Sequence, residues 1–519
     1  MLKQAIVLAF AATSLSAPLP AEQAGIDPAL QAECAAIGRL KIADVAIESS
    51  SPQGPGVGWA AGMPAGGRMQ PAAVSRGFCR VQGKIEGSIA FELWLPARAE
   101  WNGKFLGAGV GGAAGTFNYS DLPRGVSRGY AAATTDTGHK ISDPAWMLDA
   151  AARDNYTHRA NHLLAVKSKA IVQAAYGAAP KHSYFIGCSG GGRQGLKELQ
   201  RYPADYDGIL TGANGPRTPE MTTRRMWEIL QRDANPNLMK AGDWQLIADA
   251  GRQSCDAADG VADGLVEDPR QCNFRIASLT CRPGQTGSCL SSEQVRFAER
   301  IYAPLRDEKG RAIDGGLLTG VLVDSGRSQL ALGTFGQAIR GTRDWKGEGF
   351  SVARDLAAID RVMPELRADS TDLSAFRRRG GKLIQYTGWL DGAVAARMVV
   401  DYHTALTRAA GGAKSAANFS RLYMLPDVHH CAGGPGPDQI GGSGRDAPVV
   451  DSRHDLLTAL EQWVEQGRAP GEMVASKVEG GAVSRTHLIC PFPKRAVYRG
   501  GPVGRAESFR CEAPKVRAS

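Results

Sequence analysis

Between residues 85 and 213 the chain alternates short apolar runs with segments of helical spacing. From Ile85 to Leu95 the apolar residues Ile89, Phe91, Leu93 and Leu95 fall on every second position, the period of a strand. Trp101-Asn-Gly-Lys then turns the chain into Phe105-Leu, which empties into a glycine-rich loop, Gly107 to Gly112. Tyr130 to Thr135 predicts another strand. It is followed by a segment, Asn161 to Tyr176, whose Leu163, Leu164, Val166, Ile171 and Val172 recur at helical spacing. Next come Ser183-Tyr-Phe-Ile-Gly, a short apolar strand, and a helix-like run from Gly192. Strand and helix in alternation predict an α/β fold around a mostly parallel sheet.

After Asn214-Gly-Pro the pattern breaks into helical pieces, an acidic loop and cysteine-rich turns, and it stays irregular to about Ser374. The sheet pattern returns at Lys382-Leu-Ile-Gln-Tyr and at Ser420-Arg-Leu-Tyr-Met-Leu, and a helix over Asp455 to Gln466 follows. One catalytic domain formed by 26–213 and 375–519, with a lid inserted at 214–374, accounts for this order. No internal repeat or low-complexity block interrupts it.

The ends and the composition narrow the picture. Lys3, the apolar run Ala5 to Ala12 and the small residues and prolines of Ser14 to Ala21 read as a secretory signal peptide over 1–21, cleaved between Ser16 and Ala24. That run is shorter than the roughly 20 apolar residues a membrane span needs. Hydrophobic residues at 43% and charged residues at 22% exclude a disordered or collagen-like chain. The net charge of +9 comes from scattered residues, the longest cluster being Arg377 to Arg379, which argues against a nucleic-acid partner. Ten cysteines, an even number, fit export to an oxidising compartment. Local spacing suggests Cys34 with Cys79, Cys255 with Cys272, Cys281 with Cys289 and Cys490 with Cys511, leaving Cys188 and Cys431 for each other; spacing alone does not fix connectivity.

Gly187-Cys-Ser-Gly-Gly, between an apolar strand and a helix, matches a nucleophile elbow, in which a tight turn pushes the Ser189 hydroxyl into solvent. A serine needs a base to take its proton and a carboxylate to orient the base, and in α/β-hydrolases these follow in the order serine, acid, histidine. Asp391, after the strand Leu383 to Tyr386, and His430, after the strand Leu422 to Leu425, hold those positions. Asp427 and His429 compete with them. A plain glycine-rich turn at Ser189, an N-cap at Asp391 and a packing role for His430 are the bland alternatives. Cysteines directly before Ser189 and directly after His430 could bridge the two loops. Gly190 offers one oxyanion-hole N–H, and the Gly107–Gly112 loop the second, assigned to Gly111.

In these residues the chain resembles the tannase and feruloyl esterase family. The likeness runs from Phe78-Cys-Arg-Val-Gln-Gly through Trp101-Asn-Gly and Gly187-Cys-Ser to Cys490-Pro-Phe-Pro. It implies an α/β-hydrolase fold with a large lid, the triad Ser189, Asp391 and His430, a Cys188–Cys431 disulfide, and hydrolysis of galloyl, feruloyl or terephthalate-type esters. The acidic loop Cys255 to Asp268 offers hard oxygens from Asp256, Asp259 and Asp263 and carbonyls of Val261 and Leu265. Read alone, it is equally a solvated acidic turn, and Val261 stands where an EF-hand requires glycine. The resemblance implies a structural calcium ion there, clamped by Cys255–Cys272. Because the loop falls in the insertion, the ion is expected to serve stability more than catalysis.

For the lid, Trp227, Trp244, Phe335, Trp345 and Phe350 are candidate platforms for an aromatic ring, and Arg340 or Arg343 for a carboxylate. Two other classes compete: a calcium-stabilised binding protein without catalysis, which would not react with a fluorophosphonate, and thiol chemistry at Cys188, which no Cys-x-x-Cys motif supports.

Overall fold

The strand His182–Cys188 is buried from Ser183 onward because helices cover the sheet on both faces, which is why its sequence is a continuous apolar run rather than an alternation. In the computed structural model, which describes residues 26–59, 72–323 and 326–514, it is the sixth strand of a nine-stranded sheet. The strands are β1 (Val45–Gln53), β2 (Phe78–Ile85), β3 (Ile89–Pro96), β4 (Lys104–Ala108), β5 (Ala131–Thr135), β6 (His182–Cys188), β7 (Gly208–Gly212), β8 (Lys382–Gly388) and β9 (Ser420–Leu425). Their order is β1-β2-β3-β5-β4-β6-β7-β8-β9. The pairs from β5 through β9 are parallel, and β1, β2 and β3 extend the sheet antiparallel.

Successive residues of the central strands feed opposite cores. Phe105, Phe185, Ile209 and Leu383 join one, whereas Leu106, Tyr184, Ile186, Leu210 and Ile384 join the other. Helices α1 (Asp121–Ser127), α2 (Ala160–Tyr176), α3 (Gly190–Arg201) and α4 (Leu456–Gln466) close these layers. Leu164, Ala165, Ile171 and Val172 of α2 and Leu196 and Leu199 of α3 cover the first face. Leu122 and Val126 of α1 and Leu456, Leu460 and Trp463 of α4 cover the second. This is the α/β layout expected from the alternation and the α/β-hydrolase fold that the resemblance implies.

Two local expectations are corrected. Ile85 does not begin the alternating strand: it ends β2, and a turn at Glu86 and Gly87, both with positive φ, starts β3 at Ile89. Val166 leaves the apolar stripe of α2 and is exposed, because Ala165 takes the core-facing position. Between β7 and β8 no described residue joins the main sheet. This segment has its own core, with Trp244, Ile247, Val295, Phe297 and Ile301 buried together. The expected signal peptide lies outside the described residues, and no described helix is long and apolar enough to cross a membrane.

One buried ion-pair cluster fastens the second layer. Asp455 caps α4 by accepting from the Thr458 amide at 2.8 Å, and its carboxylate also receives Arg128 at 2.7 and 2.9 Å and Arg124 at 2.9 Å. Burial alone would raise this carboxyl, but the hydrogen bonds and charge of Arg128, with Arg124 and the Thr458 amide, hold it at about 2. A carboxyl depressed on folding contributes stability above its unfolded value and loses it as pH falls toward the folded value. Asp455→Asn is therefore expected to cost on the order of 2–3 kcal/mol at pH 7, since it leaves Arg124 and Arg128 the exposed Asp446 as their remaining shared charge partner. In chemical denaturation the penalty should shrink as pH falls from about 4 to 2; an equal penalty at every pH would refute the role.

Candidate active site

The turn that ends β6 is set by close backbone approach. Ser189 has φ 60° and ψ −124°, a conformation side chains rarely adopt, and it caps the start of α3. Its amide donates to the Gly212 carbonyl at 2.9 Å, so β7 fixes the turn from one side. A Cβ on Gly187 would stand 2.6 Å from the Gly191 carbonyl, and one on Gly190 would stand 2.9 Å from the Gly112 carbonyl. Only glycine lets the elbow pack this closely. The result is a partly exposed serine at the end of a buried strand.

Asp391 and His430 follow β8 and β9, which lie side by side in the sheet. Asp391 is buried; its Oδ1 accepts the amides of Ala393 and Val394, each at 2.8 Å, and its Oδ2 meets His430 Nδ1 at 2.8 Å. The Asp391 contact is made through Nδ1 of the imidazole. The His430 side chain is 31% exposed, open to a ligand while anchored from behind. Cys188 and Cys431 form a disulfide with Cα atoms 5.9 Å apart, so the chain neighbours of Ser189 and His430 are covalently joined.

Of the two competitors, Asp427 is otherwise engaged. Asp427 is buried and paired with Arg252 at 3.0 Å; burial, opposed by Arg252, pushes its carboxyl up to about 6. The His429 amide donates to Gly433, and burial lowers its imidazole below the usual range. All ten cysteines are bridged in the pairs that local spacing suggested, which removes the thiol reading of Cys188.

Gly111 lies over Ser189: a Cβ there would be 3.8 Å from Ser189 Cβ and 3.6 Å from the Cys188 carbonyl. Gly190 is the first residue of α3, where amides have no partner within the helix. Sequence reasoning missed the side chains that hold this loop. Gln194, buried on α3, accepts from the Val110 amide at 2.9 Å and donates to its carbonyl at 3.1 Å. Tyr156 donates to the Gly112 carbonyl at 3.0 Å, and Asn118 to that of Gly109 at 2.8 Å. His139 Nε2 reaches the Ala113 carbonyl at 2.8 Å; burial lowers this imidazole to about 4, so it is neutral and donates from Nε2. Nothing in the sequence marks these side chains for that task.

Of the lid candidates, Trp244 packs in the lid's own core near Phe297, Trp227 packs against the same core, and Phe335 is fully buried. Trp345 and Phe350, partly buried, pack against a cluster that includes Val110 and Ala114 of the glycine loop. Arg340 is taken by Asp355 at 2.8 Å and stacks on Trp345, whereas Arg343 is exposed.

The acidic loop is tied closer to Asp391 and His430 than its place in the chain implies. Arg252, on the helix Ala241–Cys255 that leads into it, reaches Asp427 on the His430 loop, and Arg270 stacks 4.8 Å from the Trp389 ring beside Asp391. Asp256 accepts the amides of Asp263 and Gly264, Asp259 that of Glu267, and Asp263 pairs with Arg485. Val261 is half-buried and Leu265 buried. Burial, opposed by the Glu267 and Val261 amides and aided by the charges of Asp263 and Glu267, pushes Asp259 up to about 6. The donors suit a hard cation, which would relieve that crowding. Among the described residues, however, no three His, Cys, Asp or Glu side chains form a ready metal-binding group.

Comparison with known proteins gives this geometry its family. The profile of the tannase and feruloyl esterase family matches residues 72–328 and 343–512. The mono(2-hydroxyethyl) terephthalate hydrolase of Piscinibacter sakaiensis is 32% identical over 513 residues, covering 82% of each chain. A probable feruloyl esterase B of Aspergillus clavatus is 28% identical, covering 82% of this chain and 85% of its own. The crystal structure of feruloyl esterase B from Aspergillus oryzae superimposes with a TM-score of 0.86 at 26% identity, over 93% of this chain and all of that one. A sheet of this order, an elbow serine and an acid–histidine pair on adjacent strand ends thus sit in a chain that belongs to the tannase and feruloyl esterase family, and the protein is a carboxylic ester hydrolase.

Proposed function

We propose that this protein is an exported serine esterase that cleaves esters of aromatic acids through an acyl-enzyme. The observation that carries the reading is the 2.8 Å contact between His430 Nδ1 and buried Asp391, on a loop cross-linked beside Ser189. With Nδ1–H held by Asp391, Nε2 is the basic atom. It takes the Ser189 proton as Oγ attacks the ester carbonyl, and the imidazolium formed is stabilised by Asp391. The amides of Gly190 and Gly111 stabilise the oxyanion. The imidazolium then gives its proton to the departing alkoxide, so the alcohol leaves and an acyl-Ser189 ester remains. Water, deprotonated by His430, repeats the sequence and releases the acid.

An aromatic acyl group is favoured by the substrates named for the relatives and by Trp345 and Phe350 beside the glycine loop. Five disulfides favour an oxidising compartment, as does the N-terminal apolar run. A calcium ion at Asp256, Asp259 and Asp263, with the Val261 and Leu265 carbonyls, would neutralise the acidic loop and stiffen the lid edge that pairs with Asp427.

Three outcomes are expected. Ser189→Ala should lower kcat/KM on p-nitrophenyl butyrate, methyl ferulate, methyl gallate and monohydroxyethyl terephthalate by about 10⁴-fold or more, at unchanged melting temperature. Near-parental turnover would end the assignment. Replacing both Cys188 and Cys431 by Ala should lower kcat roughly a hundredfold in the folded fraction, because reacting groups lose their alignment. The stability lost should be on the order of 5 kcal/mol, from a bridge spanning 243 residues. A folded variant as fast as the parent would exclude that role. For the metal, elemental analysis should find one calcium per chain, and chelation should lower the melting temperature by mass action. Metal-free protein whose melting ignores both chelator and added calcium would exclude the site.

A further inference from the structure

The carbonyls of the five consecutive residues from Gly109 to Ala113 all have partners. Gly109 receives Asn118, Val110 receives Gln194, Gly111 receives the Ala114 amide at 3.1 Å, Gly112 receives Tyr156, and Ala113 receives His139. A peptide unit is planar and trans, so a carbonyl held in one direction aims the next residue's N–H in the opposite one. The carbonyl that aims the Gly111 N–H is that of Val110. Its partner is Gln194, five residues beyond Ser189 on the helix the serine caps.

We propose that Gln194 is the positioning residue of the oxyanion hole: by gripping both polar groups of Val110, it aims the Gly111 N–H at the site occupied by the substrate's carbonyl oxygen. The inference rests on the roles given above to Ser189 and Gly111. The grip has one orientation. Rotating the amide would set NH₂ against the Val110 N–H and oxygen against its carbonyl, so the two hydrogen bonds, at 2.9 and 3.1 Å, determine which end lies where. Gln194 is 2% exposed, so no water competes for either bond.

The far flank of the loop is held from the same helix. Arg193 donates to the carbonyls of Tyr156 and Thr157 at 3.0 and 2.7 Å, in a π-helical turn at Asn155–Arg159, and the Tyr156 hydroxyl then reaches Gly112. Nucleophile and oxyanion donor are thus referenced to one rigid element. A loop free to rotate its Val110–Gly111 peptide would have to reorganise as charge develops; this one is set beforehand.

The test is Gln194→Met, which keeps the volume and removes both hydrogen bonds. With p-nitrophenyl butyrate, kcat should fall about ten- to a hundredfold, a part of the roughly 10²–10³ that loss of one oxyanion donor costs, while KM stays within about threefold. The inhibition constant of benzeneboronic acid, whose adduct with serine places an oxygen in the oxyanion hole, should rise by a similar factor. A merely structural residue would lower the folded fraction and leave both quantities unchanged per active site. Tyr156→Phe, which removes one hydrogen bond from the other flank, should show the same signature at smaller amplitude, and it decides the matter if Gln194→Met does not fold. Parental kcat and boronate inhibition in the folded variant would overturn the inference, as would a rise in KM at unchanged kcat. If Ser189→Ala is inactive and Gln194→Met is parental, only the role of Gln194 fails; if Ser189→Ala is active, the serine reading fails with it.

Discussion

The elbow at Ser189 is the constraint on which the rest depends. A strand buried on both faces must deliver one polar atom to solvent and hand the chain to a helix within a single residue, and it does so at φ 60°. That conformation costs on the order of 1–3 kcal/mol and persists only where its surroundings over-determine it. Here they do. The Gly212 carbonyl holds the Ser189 amide, glycines at 187, 190 and 191 let backbone meet backbone, and α3 continues at once into residues that grip the neighbouring loop. The strained residue, the oxyanion loop and the crossover helix form one packed unit, so none is adjustable alone.

Asp391 and His430 arrive by another route. β8 and β9 are parallel neighbours, so the loops after them emerge at the same sheet edge as the elbow, and no long-range search is needed to bring Asp391 to His430. The lid then fixes those loops from outside, through Arg252 on Asp427 and Arg270 over Trp389. The segment between β7 and β8, pinned at these points, is part of the framework around Asp391 and His430.

What the sequence disclosed follows from the range of the interactions involved. The run at Tyr184 to Ile186 was legible because burial on both faces leaves no polar position, and the four short-range disulfides because their partners lie 8 to 45 residues apart. The hairpin at Glu86 was lost because Ile85 continues the apolar alternation across the turn. Asp427 is a close competitor of Asp391 in the sequence, and what sets them apart is Arg252, 175 residues away, which occupies Asp427. Gln194 and Tyr156 were silent, since a glutamine on a helix and a tyrosine after a loop carry no mark of the backbone they will hold. Contacts between a side chain and a distant main chain leave little pattern, because any backbone offers the same donor and acceptor.

The Cys188–Cys431 bridge also sets an order of events. Its halves are 243 residues apart, so the segment of Ser189 leaves the ribosome long before that of His430, and the bond joining them forms after the intervening segment has been made. Completion of the site is therefore a maturation step, governed by an oxidant instead of by translation. A chain kept from any oxidant would carry Ser189 and His430 and still lack the covalent tie between their segments.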